Sequence, residues 1–277
     1  MPRAFVRRAL LSALWIREME ILEIIQRRQS CRTYNGLRLD KATIAALEEE
    51  IKALPRLFED VAVPDIRVVA HEDADGRLGT YGFITGARQF LVMASGKSQA
   101  EQVQAGFMFE ALILKATEMN LSTCWLGGTF RRGPFAEAFG HMGQGREISI
   151  VSPIGHPTPR RRFAERLMRR VVKADRRKPF ARLFQGASQD SPVGMALEAV
   201  RLAPSSSNSQ PWRCVVSGRE GCGEEVVRFS CAGSGRFSAI DMGIAYCHFL
   251  LASRRKGLDW EIAPSSSGMP ALEFRCI

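Results

Sequence analysis

Apolar positions along this chain switch between spacings of three and four residues and short near-continuous runs, and each switch marks the edge of an element. Helical spacing predicts a first helix from Glu20 to Arg28 and a second from Asp40 to Ala53. Runs rich in β-branched and aromatic residues predict strands at Ile66 to Ala70 and Phe90 to Ala94. Ala105 to Met119 reads differently, because Phe107, Phe109, Leu112, Ile113, Leu114 and Ala116 leave hardly any polar face. Such a helix belongs inside protein rather than on a surface. A strand at Ser122 to Trp125, a turn at Gly127 and Gly128, and a strand at Ile148 to Ile154 end this first half.

The same order then returns in shorter form. A helix from Val193 to Leu202 leads to strands at Trp212 to Val216 and Val226 to Phe229, then a helix from Met242 to Lys256 and strands at Trp260 to Ile262 and Glu273 to Cys276. A shift of 137 positions lays Phe90 on Val227, Val92 on Phe229, Gly106 on Gly243, Leu112 on Phe249, Ile113 on Leu250, Leu114 on Leu251 and Leu121 on Leu258. Either the chain carries a degenerate duplication, or two α/β segments agree by chance at hydrophobic positions. The connecting segment from about Pro157 to Ser191, rich in Arg, Lys, Ser and Gln, is expected to cross over the surface. Residues 1–18, with Arg3, Arg7 and Arg8 around a short apolar stretch, read as a loose extension rather than a secretory signal.

Composition narrows the class. With 277 residues and 45% hydrophobic content the chain can bury a real core, as one large domain or two small ones. No apolar run approaches the roughly 18 to 20 residues of a membrane helix, so a soluble protein is expected. Seven cysteines, an odd number with no C-x-x-C pair and no histidine at ligand spacing, point to reduced cytoplasmic thiols and away from disulfides or zinc. A net charge of +10 suits nucleic acid or phosphate-bearing small molecules equally well. No recognised nucleic-acid module accompanies it. The densest basic run, Arg160 to Lys178, places Arg161, Arg162, Arg166, Arg169, Arg170 and Lys173 at helical spacings and reads mostly as a solvated face.

Two segments carry chemistry. In Arg27-Arg28-Gln29-Ser30-Cys31-Arg32-Thr33-Tyr34 a helix gives way to extended chain. Guanidinium forks there can grip a phosphate, with the serine hydroxyl adding a hydrogen bond. The plainer alternative is basic residues complementing the dipole of a helix end. In Ala203-Pro204-Ser205-Ser206-Ser207-Asn208-Ser209-Gln210-Pro211-Trp212 two prolines fix the entry and exit of a polar loop whose groups can turn toward a heteroaromatic edge. Its alternative is a plain connection from helix to strand.

Together these segments resemble the two FMN-binding stretches of the nitroreductase superfamily. The first occurs only in the first half and the second only in the second, so the chain resembles the subgroup whose two half-units are fused in one polypeptide. Gly79-Thr80-Tyr81-Gly82-Phe83-Ile84 and Thr123-Cys124-Trp125-Leu126-Gly127-Gly128-Thr129-Phe130 are similar to further stretches of that subgroup. The resemblance runs from about Met19 to the C-terminus. It implies an α+β nitroreductase-like fold in which two degenerate half-units, 19–156 and 192–277, are joined by a linker over 157–191. The halves would form a pseudo-dimer with antiparallel-rich sheets around long central helices.

For the site, the resemblance implies that Arg28, Ser30 and Arg32 hold the FMN phosphate and ribityl chain. Pro204, Ser205, Ser206 and Asn208 would line the isoalloxazine from the other half, and Leu126, Gly127 and Gly128 would bring backbone close to its reactive nitrogen, with Tyr81 also at the cofactor. Arg177 matches a late basic phosphate ligand. The family often has a second basic residue two positions earlier; here stands Asp175, so either Arg176 substitutes or that contact is missing. The implied activity is ping-pong hydride transfer from NAD(P)H to a small electrophile such as a nitroaromatic or quinone, with one FMN per chain and no catalytic side chain. A flavin-binding or storage protein without turnover is the alternative, and reductive dehalogenation or flavin fragmentation are rivals on the same scaffold. The implied partners are small molecules, with neither nucleic acid nor membrane, and the implied state is a monomer mimicking a dimer, with further self-association left open.

The remaining polar residues are read conservatively. His71, Glu72, Asp73 and Asp75 form a solvated acidic loop rather than a metal site. His248, in the second apolar helix, is a satisfied interior group rather than a base. Cys124 and Trp125 are read as strand and core, and the sequon at Asn120-Leu121-Ser122 has no role in the expected compartment.

Overall fold

The computed structural model describes residues 21–70, 80–159, 170, 176–218, 225–264 and 269–277. The N-terminal extension, the acidic loop at His71 to Asp75, Asp175 and the basic run apart from an exposed Arg170 and Arg176 to Lys178 lie outside the described residues.

Helix α1 spans Ile21–Arg27 and α2 spans Lys41–Lys52, the latter opened by Asp40, whose carboxylate accepts from Thr43 N at 2.7 Å. Strand β1, Asp65–Ala70, leads to β2, Gln89–Ser95. Every residue of β2 is buried, and the pleat explains the unbroken apolar run. Leu91 and Met93 point into the main core, whereas Phe90, Val92 and Ala94 enter a second cluster with Phe135 and Phe139. Those phenylalanines sit on α4, Arg132–Phe139, a short helix that the sequence pattern does not announce.

Helix α3 starts at Gln99, six residues before the expected Ala105. Its first turns are polar, so apolar periodicity is silent there; a capping box between Ser98 and Glu101 sets the start instead. Strand β3, Ser122–Thr123, and β4, Glu147–Gly155, complete a four-stranded antiparallel sheet in the order β1-β2-β4-β3.

The described end of the connecting segment does more than cross the surface. Phe180, Leu183 and Phe184 recur at helical spacing among basic residues, forming α5 at Phe180–Leu183 and then β5 at Phe184–Gln185, with Leu183 and Phe184 buried. Strand β5 pairs in parallel with β6, Trp212–Ser217. The second sheet runs β5-β6-β7-β9-β8, with β7 at Val226–Cys231, β8 at Trp260–Pro264 and β9 at Leu272–Cys276, and its remaining pairings are antiparallel. Helices α6, Pro192–Leu202, and α7, Ser238–Arg255, cover it. Phe229 meets Tyr246, Phe249 and Phe274 edge to face, with ring centroids 5.3, 5.3 and 5.6 Å apart. The whole is a mixed α+β fold with antiparallel-rich sheets.

At the centre α3 packs against α7 through two glycines. A Cβ added at Gly106 would press on the backbone of Ile240, and one added at Gly243 on the backbone of Val103 and Phe107. The contact is reciprocal: Val103 and Ile240, like Gly106 and Gly243, stand 137 positions apart. The helices therefore approach to backbone contact, which only glycine permits.

Candidate functional site

Beside this crossing lies a cavity of about 420 Å³. Its first wall is the turn after α1. Beyond Arg28 the chain is extended and stitched to β3, with a parallel bridge from Ser30 to Thr123 and Cys31 N donating to Thr123 O at 2.9 Å. Side chains alternate along extended chain, so Cys31 and Thr33 go to the interior while Ser30 and Arg32 join Arg28 on the cavity. Arg28 is itself buried, and Arg32 Nη1 is buried with no hydrogen-bond partner among the described residues.

The second wall is the loop after α6. It passes through a 3-10 turn at Ser206–Asn208, in which Ser207 and Asn208 have φ of 50° and 55°, followed by Gln210 at 48°. Left-handed backbone at non-glycine residues costs on the order of 1–3 kcal/mol each and persists only where surroundings over-determine it. They do so here. Asp241 Oδ1 accepts from Ser206 N at 2.9 Å, Ser205 Oγ accepts from Gln210 N at 2.9 Å, and Gln210 Oε1 accepts from Lys178 N at 2.8 Å. Arg177 donates through Nη1 to Asn208 Oδ1 and through Nη2 to Leu202 O, both at 3.2 Å.

The third wall is Leu126 to Thr129. Leu126 is pinned to β4 by paired backbone bonds with Val151 of 2.9 and 3.0 Å. A Cβ at Gly127 would come within 2.7 Å of the Phe237 ring, whereas one at Gly128 would meet nothing within 4 Å. Phe237, Ile240, Asp241 and Ile244 close the cavity from the start of α7.

Eleven of the twelve residues singled out from the sequence thus line one cavity: Arg28, Ser30, Arg32, Leu126, Gly127, Gly128, Arg177, Pro204, Ser205, Ser206 and Asn208. Tyr81 does not. It is 61% exposed with φ of 50°, beneath the Arg131 guanidinium at 5.5 Å, and Phe83 from the same turn reaches the cavity instead. Arg176 is exposed and meets the serine loop through its backbone, its carbonyl accepting from Asn208 Nδ2 at 2.9 Å.

Trp125 lies beyond β3, which ends at Thr123, so it is not in the strand; its half-buried indole packs against the core, edge to face with Phe109 at 4.9 Å, and also lines the cavity. Its Nε1 donates to Glu110 Oε2 at 2.8 Å, and Glu110 Oε1 lies 2.9 Å from His248 Nε2. His248 Nδ1 lies 2.9 Å from Ala199 O, an acceptor only, so Nδ1 carries a hydrogen and one proton is shared between His248 and Glu110. His248 is the satisfied interior group its apolar helix suggests.

Sequence reasoning missed Asp241. It is 4% exposed, and burial pushes its carboxyl up to about 7 against the lowering effect of hydrogen bonds from Ser206 and Ser209. The available signal was an acid in the otherwise apolar opening of α7.

The arrangement of sheets and central helices is the nitroreductase fold. The family model describing candidate TM nitroreductases matches residues 20–253, and the chain belongs to that family, which places it among the oxidoreductases. A candidate nitroreductase of Thermotoga maritima shares the fold over 94% of both chains, with a TM-score of 0.62 and 18% identity. An FMN-dependent nitroreductase of Clostridium difficile R20291 aligns over 51% of this chain and 90% of its own, at a TM-score of 0.42 and 15% identity. No curated protein matches the chain. No helix among the described residues is long and apolar enough to cross a membrane.

Proposed function

We propose that the chain holds one FMN in this cavity and acts as an NAD(P)H-dependent oxidoreductase on small electrophiles such as nitroaromatics or quinones. The carrying observation is the meeting of Arg28, Ser30 and Arg32 with Pro204 to Asn208 across one cavity, although more than 170 residues separate the two segments. The residues fit the cofactor. A volume of about 420 Å³ falls within the range of small-molecule sites, roughly 300–1,000 Å³. The buried, unpartnered Arg32 Nη1 supplies a donor suited to an anionic oxygen.

Arg28 and Arg32 would grip the phosphate with Ser30 and Arg177, while Pro204, Ser205, Ser206 and Asn208 would border the ring system. Leu126, Gly127 and Gly128 would offer backbone groups at its other edge, where the open space beside Gly128 leaves room for close approach. When bound, the flavin supplies the hydride chemistry, taking hydride from the nicotinamide and passing it to the acceptor. The protein orients the partners and keeps the site fixed through the bonded serine loop.

The reciprocal glycine contact supports reading 19–156 and 192–277 as fused half-units related by a pseudo-twofold axis, which mimic a dimer within one chain. The test is an absorption spectrum of the purified protein with flavin quantified against polypeptide, followed by NAD(P)H oxidation with a quinone or nitroaromatic. One flavin per chain, bleached by NAD(P)H and recoloured by the acceptor, is expected. Two flavins would overturn the single-site reading, and bound flavin that no hydride donor bleaches would establish a store.

A further inference from the structure

We propose that Asp241 is the proton donor of this cavity, delivering a proton to the electron acceptor through Oδ2. The inference rests on the flavin reading above and adds a catalytic side chain to it.

Three observations carry it. Among the described residues that line the cavity Asp241 is the only acid, set against three cations, Arg28, Arg32 and Arg177. Its two oxygens have different duties: Oδ1 is committed as acceptor for Ser206 N at 2.9 Å, whereas Oδ2 has, among the described residues, only Ser209 Oγ at 3.5 Å, the outer limit of a hydrogen bond. The proton of the neutral acid therefore sits on Oδ2 while Oδ1 goes on holding the serine loop. Burial brings the carboxyl to about 7, so both protonation states are populated near neutrality, the condition in which a general acid works best.

The other charged groups nearby are engaged elsewhere. Lys178 and Arg213 both donate to Gln210 O at the far end of the loop, the Arg236 guanidinium lies over the Phe237 ring at 5.4 Å, and His248 and Glu110 share their proton farther along the helices.

With a quinone the step balances as follows. Hydride originating from the nicotinamide brings two electrons and one proton and forms one new bond to hydrogen on the acceptor. The resulting hydroquinone anion takes a second proton as the Oδ2–H bond of Asp241 breaks. The carboxylate then regains a proton from bulk solvent, so that NAD(P)H, one solvent proton and the quinone give NAD(P)⁺ and the hydroquinone.

The deciding variant is Asp241→Asn, which keeps an Oδ1 acceptor for Ser206 N but has no carboxyl proton to give. Flavin-loaded wild type and variant are bleached anaerobically with NAD(P)H and recoloured with benzoquinone from pH 5.5 to 8.5. Wild type should recolour more slowly as pH rises past a break at or above 7, approaching tenfold per pH unit, while the variant is at least about 10²-fold slower at pH 6 and flat with pH. Recolouring is compared at equal flavin loading. A readout without turnover is FMN affinity of the stripped protein by fluorescence quenching: filling the cavity further desolvates Asp241, so wild-type affinity should fall as pH rises through 7 and that of the variant should not.

Asp241→Glu should restore both pH breaks. An unchanged recolouring profile in Asp241→Asn overturns the donor, as does loss of flavin from both variants, which would mark the residue as purely structural. Wild type that binds no flavin, or whose flavin NAD(P)H cannot bleach, instead overturns the parent reading.

Discussion

Replacing Gly243 by alanine tests the architecture beneath the site. The new methyl would lie 2.7 Å from Phe107 N, with Val103 O closer still. Carbon contacts settle near 3.5–4.0 Å, so α3 and α7 must part by roughly 1 Å. The opposing atoms are backbone and cannot rotate away, which puts the overpacking cost near the upper end of the usual range, about 3 kcal/mol. Alanine returns about 1 kcal/mol of helix propensity, leaving a net loss of about 2 kcal/mol.

At about 2–4 °C per kcal/mol for chains of this size, the melting temperature should fall by about 4–8 °C, with a matching drop in the urea midpoint. Flavin retention should fall too, because Ile240, Asp241 and Ile244 reach the cavity from the displaced end of α7. Gly106→Ala acts on the same gap, so the double variant should lose less than the two single losses together. The control is Gly128→Ala, whose methyl meets nothing within 4 Å: it should leave the melting temperature unchanged and lower flavin occupancy. A Gly243→Ala protein as stable as wild type would refute the close-crossing argument.

Charge reversal of Arg28 and Arg32 together should cut flavin content of the purified protein at least about tenfold, read by absorbance; unchanged content would remove both from the phosphate site. His248→Leu leaves Glu110 buried beside Trp125 without its proton-sharing partner, and should cost about 3–5 kcal/mol in urea denaturation, whereas a loss below about 1 kcal/mol would mean that the pair contributes little. For Asp241 the folded-state carboxyl is raised to about 7 from an unfolded value near 4, so the native state binds more protons between those pH values. Its contribution to stability is fully present below about pH 4 and is lost as pH rises through 7. Urea midpoints at pH 5 and pH 8 should therefore show Asp241→Asn gaining on wild type at the higher pH, and a gap that does not widen would contradict the raised carboxyl.

What sequence reasoning could see follows from where apolar side chains sit. It found both central helices, because Phe107 to Leu114 and Ile244 to Leu251 are almost wholly apolar, and it misplaced the start of α3, because polar first turns carry no periodic signal. It missed α4, whose core-facing Phe135 and Phe139 are only two positions in a short segment, and it read Phe180, Leu183 and Phe184 through the basic residues around them. The arginine turn and serine loop were visible because positive φ, proline brackets and paired guanidiniums leave compositional traces. Asp241 and Glu110 were not, since a single acid inside an apolar helix acquires meaning only from what the other half of the chain places against it.

On the fused-halves reading, why the chain should carry a single site can be argued from one station on each central helix. Gln104 of α3 stands 137 positions before Asp241 of α7. Each holds the loop that follows the preceding helix, α2 in one case and α6 in the other: Gln104 Oε1 accepts from Leu57 N and Phe58 N at 2.9 and 3.1 Å, and Asp241 Oδ1 accepts from Ser206 N. The clamp is the same and the contents differ. The loop under Gln104 carries Leu54, Leu57 and Phe58, all buried in the core, whereas the loop under Asp241 carries serines and Asn208 around open volume. An amide suffices where the loop is packed shut and no ionisable group is wanted in apolar surroundings; an acid is tolerated where the loop borders a polar cavity. On the fused-halves reading, one of two equivalent positions has been filled by hydrophobic side chains and turned over to stability. The other keeps the strained loop, the arginines and the Asp241 carboxyl.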